Sequence, residues 1–447
     1  MKLARTGIPT LLPLLAFALA CGDAPEGRPV PALATPEALV AVDGQLGYTA
    51  EVNARVAALD LDGDGRDELI VASAVEVAAL RFDPATAETS LVWRAEARGG
   101  ATAVATGDVD GDARDDLLVG WGVHRDQLQA SAQLVVYRTR GAPPGGLLEQ
   151  VVATPATPRA QFASLQVTPL EPGGAPGILY AAYASKYEVR GAFATLGDDG
   201  RFGERELGRV HMGAEWRALR LRPGDPALSL VVGRPYGDAP KSDGDLFVLR
   251  DGGGHGGGAE PRATIPSFRG VRSLMVWQLP GSDRPALCYG DGWHWRYRDE
   301  GVGLVTCAQR SDDGAFRTRV VARVGDYSVG TLAAADLDGD GRPELLGQGA
   351  SGLYAFEVPA TSPLSGPEPW RGQRIGPGGF GFVPLDVDGD GRAEIGLAAE
   401  NPVLLRSVPV TPAPPGPGPS ADPSGAAPGG RPRGEASLAS PTPTAGG

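Results

Sequence analysis

The sequence predicts an all-β fold, a seven-bladed β-propeller, and three observations carry that expectation. An acidic ten-residue string recurs four times, as "DLDGDGRDEL" at 60, "DVDGDARDDL" at 108, "DLDGDGRPEL" at 336 and "DVDGDGRAEI" at 386. The chain around these strings consists of short apolar runs broken by Gly, Asp and Pro, the pattern of strands and turns. A period of about fifty residues holding four such runs is that of a propeller blade.

The N-terminus comes first. Lys2 and Arg5 precede an apolar stretch from Ile8 to Leu19, too short to span a bilayer, so residues 1–20 read as a signal peptide. "ALAC" at 18–21 resembles a bacterial lipobox, which implies lipidation at Cys21, although Ala18 stands where Leu is usual. Secretion without lipid is the alternative. The chain has three cysteines, and lipid on Cys21 leaves Cys288 and Cys307 to pair as a disulfide, so that no thiol of an exported protein is orphaned. Residues 21–37 are then a linker.

The blades occupy residues 38–408. Around the first acidic string lie "ARVAALDL", "ELIVAS", "EVAALRF" and "SLVWRA", four strand-like runs with no helical stripe. Three degenerate turns continue the series without the acids: "PLEPGGAPGI" at 169, "RLRPGDPAL" at 220 and "QLPGSDRPAL" at 278. Steps between successive turns run from 48 to 61 residues. "GDDGRF" at 197 and "SDDGAF" at 311 are equivalent turns between third and fourth strands. After 386 only "EIGLAA" and "VLLRSV" remain, and "ALVAVD" at 38–43 is expected to supply the missing outer strand and close the ring. Residues 409–447, rich in Pro, Gly, Ala and Ser, are expected to be a disordered tail.

Why the acids cluster follows from ion chemistry. In the first string Asp60, Asp62, Asp64 and Glu68 hold positions 1, 3, 5 and 9, with the Arg66 carbonyl at position 7. Alternate oxygen donors wrapping a tight turn suit Ca²⁺, which takes six to eight oxygens at ~2.3–2.6 Å. An EF-hand is excluded because position 12 is Val71, Val119, Gly347 or Leu397 and the flanks are strands.

These four strings resemble the FG-GAP/VCBS repeat family, whose propeller is that of integrin α subunits. In that family the loop D-x-D-x-D-G-x-x-[DE] joins the first two strands of a blade and holds Ca²⁺. The resemblance therefore implies four ligand sets. The first is the one given above. The second is Asp108, Asp110, Asp112, the Arg114 carbonyl and Asp116; the third is Asp336, Asp338, Asp340, the Arg342 carbonyl and Glu344. The fourth is Asp386, Asp388, Asp390, the Arg392 carbonyl and Glu394. Ala113 replaces the usual glycine of the second loop. Up to four ions are implied, mainly structural.

Propeller geometry puts these loops on one face, and the second-to-third loops with the blade-to-blade connections on the other. Trp121, His124, Tyr236, Trp293, Trp295, Arg296 and Tyr297 are the candidate ligand residues of that second face, and His211 lies on the same side. Alternation in "GWHWRYR" gives one aromatic and one cationic edge, suited to a glycan or a peptide, or else an extra strand packing its aromatics. The formal charge of −13, with no basic stripe, argues against nucleic acid. No nucleophile, zinc or phosphate-loop motif occurs. The expectation is a monomeric, non-enzymatic, calcium-stabilised lipoprotein that binds or scaffolds a protein or glycan at a bacterial envelope, on the outer membrane, with the lipid as its only membrane contact. The alternatives are a secreted polysaccharide lyase, with Arg296 or Lys241 as base, and a surface structural protein without specific ligand.

Overall fold

The computed structural model describes Glu37–Ala38 and residues 55–405, apart from 74–75, 85, 87, 97, 123–131, 140–145, 155–160, 171–172, 186, 222–227, 238–243, 250–260, 292–301, 326–327, 361–363, 366–368, 380 and 399–402. Strand β1 is Glu37–Ala38. The first blade holds β2 (Arg55–Leu59), β3 (Glu68–Ala72), β4 (Glu76–Asp83) and β5 (Glu88–Glu96). The second holds β6 (Gly100–Gly107), β7 (Asp116–Gly122), β8 (Gln133–Arg138) and β9 (Leu148–Ala153). The third holds β10 (Phe162–Pro169), β11 (Pro176–Tyr183), β12 (Glu188–Leu196) and β13 (Phe202–His211).

The fourth blade holds β14 (Glu215–Leu219), β15 (Ser229–Gly233), β16 (Leu246–Leu249) and β17 (Pro261–Ile265). The fifth holds β18 (Ser273–Gln278), β19 (Pro285–Gly290), β20 (Gly303–Arg310) and β21 (Phe316–Val324). The sixth holds β22 (Thr331–Ala335), β23 (Glu344–Gln348), β24 (Gly352–Phe356) and β25 (Gly372–Pro377). Strands β26 (Phe382–Leu385), β27 (Glu394–Leu397) and β28 (Val403–Leu405) follow. All sheet pairings are antiparallel, and strands within each blade neighbour one another in chain order.

The expected seven-bladed propeller is therefore corrected. Six blades are complete, each built from four consecutive strands. The remaining sheet is a composite in the order β1, β28, β27, β26, and its outer member pairs through only Glu37↔Leu404 and Ala38↔Val403. Of the expected closing strand 38–43, Ala38 belongs to β1 and the rest lies outside the described residues. The composite still seals the ring: β2 lies beside both β6 and β26. The Asp67 amide donates to the Asp386 carbonyl (2.8 Å), and the Asp386 amide to the Asp67 carboxylate (2.9 Å).

The hydrophobic core lies between sheets rather than within one. Leu118, Leu134, Phe162 and Tyr180 pack the second blade on the third; Val189, Trp216 and Val232 pack the third on the fourth. Second strands are covered on both sides, which is why ELIVA, DLLVGWG, SLVVG and ELLGQ are buried at every residue. Such strands read as continuous apolar runs instead of alternating ones. Close approach demands glycine at 191, where an added Cβ would meet the Trp216 ring at 2.3 Å. Cys288 and Cys307 are cross-strand partners on β19 and β20, fully buried, and form the expected disulfide.

Candidate metal loops and ligand face

Each acidic string sits between the first and second strands of its sheet, and so do the degenerate turns at 169, 220 and 278. The first aspartate organises the turn. Asp60 accepts hydrogen bonds from the amides of Gly63 (2.7 Å), Asp64 (3.1 Å) and Gly65 (2.9 Å), and Asp108 does the same for Gly111, Asp112 and Ala113. The fourth and sixth positions take left-handed backbone: φ is 77° at Gly63 and 86° at Gly65. Ala113 is held at φ 66°, a conformation in which its Cβ is strained. The position-7 amide donates to the position-5 aspartate in every string, at 2.9–3.0 Å.

The ninth position points inward. Glu68, Asp116, Glu344 and Glu394 are all buried, and each accepts from the position-2 amide, of Leu61, Val109, Leu337 or Val387. Burial pushes the Asp116 carboxyl up to about 6. It pushes Glu344 up to about 7, the charges of Asp338 and Asp336 adding to the effect.

Do these residues fit a cation? Oxygens of Asp60, Asp62 and Asp64 lie within 4.8 Å of one another, as do those of Asp108, Asp110 and Asp112, of Asp336, Asp338 and Asp340, and of Asp386, Asp388 and Glu394. Two ligands across one Ca²⁺ are separated by at most about 5 Å, twice the Ca–O bond length, so each set can share one ion. All-oxygen, mostly anionic donors are what a hard cation takes. In the fourth loop Asp390 stands apart from its set, paired with Arg392 at 3.1 Å.

Counter-charge differs from loop to loop. In the first, Arg81 on β4 reaches Asp62 and Glu68, both at 2.6 Å. In the second, Arg138 at the end of β8 lies 3.3 Å from Asp110, whose side chain is only 2% exposed. The corresponding residue of the sixth blade follows Phe356, the partner of Leu345, and is Glu357. The third loop thus has an acid where the first two have an arginine.

These strings form a contiguous arc. Their sheets are the sixth blade, the composite, the first blade and the second, in order around the ring. Neighbouring loops interlock: the Ala393 amide donates to the Asp336 carbonyl (2.9 Å), Asp67 to Asp386, and the Arg114 guanidinium to the Leu61 carbonyl (3.0 Å). The third, fourth and fifth blades, which lack the acidic string, form the complementary arc, which holds the disulfide.

On the opposite face the candidate ligand set divides. Trp121 is corrected: it lies in β7 with no exposure, donates its indole N–H to the Tyr137 hydroxyl (3.3 Å) and belongs to the core between the first two blades. A second strand covered on both sides leaves it no route to solvent. Tyr236 is half-buried. His124, Lys241, Trp293, Trp295, Arg296, Tyr297 and Cys21 lie outside the described residues.

Two residues the sequence reading missed are exposed on this face. Tyr187 lies in the loop between β11 and β12, is 51% exposed and stacks on exposed His211 (centroids 5.8 Å apart, 28° between planes). Phe268, between the fourth and fifth blades, is 66% exposed. An aromatic residue in a short connection, as in "SKYEV" and "PSFRG", was the available signal.

Residues 60–119 match the family described as FG-GAP-like repeat. No curated protein matches the sequence. Among solved structures, similarity extends to a lectin of Agrocybe aegerita described as specifically recognising non-reducing terminal N-acetylglucosamine. The identity is 12% and the TM-score 0.43, over 78% of this chain and 86% of that one. Sqt1 of Saccharomyces cerevisiae is similar at 12% identity and TM-score 0.43, over 76% and 81% of the two chains.

Proposed function

We propose that this chain, a β-propeller carrying an FG-GAP-like repeat, is a calcium-stabilised binding or scaffold module that presents the face opposite its acidic loops to a protein or glycan. One observation carries the ligand side of this reading. Among the described residues only four large apolar side chains are strongly exposed, and two of them, Tyr187 and Phe268, stand on that face. Exposed aromatics stack on sugar rings and anchor protein interfaces. Convergent carboxylates in four adjacent loops support the calcium side. When bound, the ion would neutralise each donor set and staple the turn between first and second strands. The loops' own hydrogen bonds already hold the backbone in shape.

Export and attachment through lipidated Cys21 complete the proposal and rest on residues 1–21 of the sequence. The test is binding of the exported protein to immobilised glycans and to envelope proteins, compared with a Tyr187→Ser, Phe268→Ser double variant. Both positions are exposed, so folding should be preserved. The reading expects ligand retention to fall at least tenfold in the variant. Equal retention would move the ligand site off this face.

A further inference from the structure

At the centre of the ring lies a cavity of about 310 Å³, at the end where the inner strands begin and so away from the acidic loops. Its wall is drawn from residues distant in sequence: Arg55 opens β2, Phe162 opens β10, Glu215 opens β14, Arg272 precedes β18, Thr331 opens β22 and Gln348 ends β23. A volume near the lower end of the usual ligand-pocket range of ~300–1,000 Å³ suits a molecule of monosaccharide size.

Two features of the wall are unusual. Gln348 is 2% exposed, yet neither its amide oxygen nor its nitrogen has a hydrogen-bond partner. Buried amides left unpaired are costly and rare, so such a group calls for a polar occupant. The Nε of Arg55 is likewise buried without a hydrogen-bond partner. The second feature is composition. In a chain of charge −13 this wall carries two arginines and one glutamate, whose carboxylate lies 3.1 Å from Arg217, outside the wall, and also acts on Arg55.

We propose that the axial cavity binds a small carboxylate-bearing polyol, of the size and chemistry of a hexuronate. Arg55 and Arg272 meet the carboxylate, because a guanidinium fork matches its two oxygens. Gln348 and the Thr331 hydroxyl supply the donors and acceptors that sugar hydroxyls need. Phe162 and the backbone of Gly330, Gly349 and Gly379 complete the wall without crowding it. Burial draws the Arg55 guanidinium down from its ordinary range, with the Glu215 carboxylate opposing. This site does not depend on whether a macromolecule docks on the surrounding face.

Isothermal titration of the full chain with D-glucuronate, D-glucose and inorganic phosphate tests the proposal. One glucuronate per chain should bind, at least tenfold more tightly than either glucose or phosphate. Arg55→Lys keeps the charge and loses the fork; it should weaken glucuronate at least tenfold. Gln348→Leu removes the unpaired amide, so it should raise the Tm of the free protein while also weakening glucuronate at least tenfold. Three results would overturn the proposal: no glucuronate binding at millimolar concentration, meaning the cavity holds water only; equal binding of glucose or tighter binding of phosphate; or undiminished binding by both variants. Gln348→Leu keeps the test decisive if Arg55→Lys fails to fold.

Discussion

Removing calcium should not loosen the ring evenly. Each filled loop adds about 2.7 kcal/mol at a hundredfold excess of ion over Kd, so four independent loops add about 11 kcal/mol. For a Kd near 10⁻⁴ M, in the range of extracellular modules, that excess is about 10 mM. Roughly 280 described residues at ~2.1 cal/mol/K each give an unfolding entropy of about 0.6 kcal/mol/K, so the ring should melt about 18 °C higher in calcium than in EDTA. The distribution of the effect follows from the arc. All four loops lie in the sixth blade, the composite sheet and the first and second blades, joined by the bonds from Ala393 to Asp336, Asp67 to Asp386 and Arg114 to Leu61.

Hydrogen exchange read by mass spectrometry should therefore show EDTA raising exchange in β22–β28 and β2–β9. Strands β10–β21 should change far less, since local openings follow local stability. Calorimetry and a count of bound metal complete the assay. A Tm shift under about 3 °C is less than one filled loop supplies and would refute the metal reading. An equal rise in exchange across both arcs would refute the stapling of a closure arc, even with ions bound.

Other outcomes follow from single contacts. Replacing Cys288 and Cys307 together by alanine opens a 19-residue separation in the fifth blade and should cost about 3 kcal/mol by loop-closure entropy, measured by denaturant unfolding under oxidising conditions. Ala113→Gly relieves a Cβ held at φ 66° and should stabilise by about 1 kcal/mol in EDTA; a loss there would contradict the strain. Gly191→Ala drives a methyl into the Trp216 ring, so it should cost about 1–3 kcal/mol and redshift indole emission as the third and fourth blades part. Arg81→Met removes the counter-charge from Asp62 and Glu68; terbium should then bind the first loop more tightly, and unchanged luminescence titrations would show that Arg81 does not compete for those carboxylates.

Much of this fold was legible because its turns are chemically marked. Every quoted turn falls between first and second strands, and "GDDGRF" and "SDDGAF" both close third-to-fourth hairpins, the Gly197 and Ser311 amides donating to Arg201 and Ala315 at 2.8 Å. The disulfide was legible through parity of thiols. Ring closure was legible in outline, since an N-terminal strand does complete the last sheet, but as Glu37–Ala38 rather than the expected 38–43: a two-residue strand has no periodicity to detect, and "ALVAVD" drew attention to the more apolar side of Glu37. Trp121 was misplaced because "WGVH" looks like a loop entrance, whereas burial on both faces lets a second strand run apolar to its last residue. The axial cavity lay beyond sequence reasoning altogether. Arg55, Glu215, Arg272 and Gln348 share no motif, and only the ring brings the starts of distant strands together.

The composite sheet also decides how the molecule bears load. The first described residues, Glu37 and Ala38, and the last described strand, β28, are hydrogen-bonded neighbours, so both ends of the ring leave from one sheet. A pull applied at Glu37 and at Leu405 would act first on that two-residue pairing. With β1 peeled away, β26 and β27 would remain held by their packing on the first and sixth blades. Under such a pull β1 would yield before the ring opens.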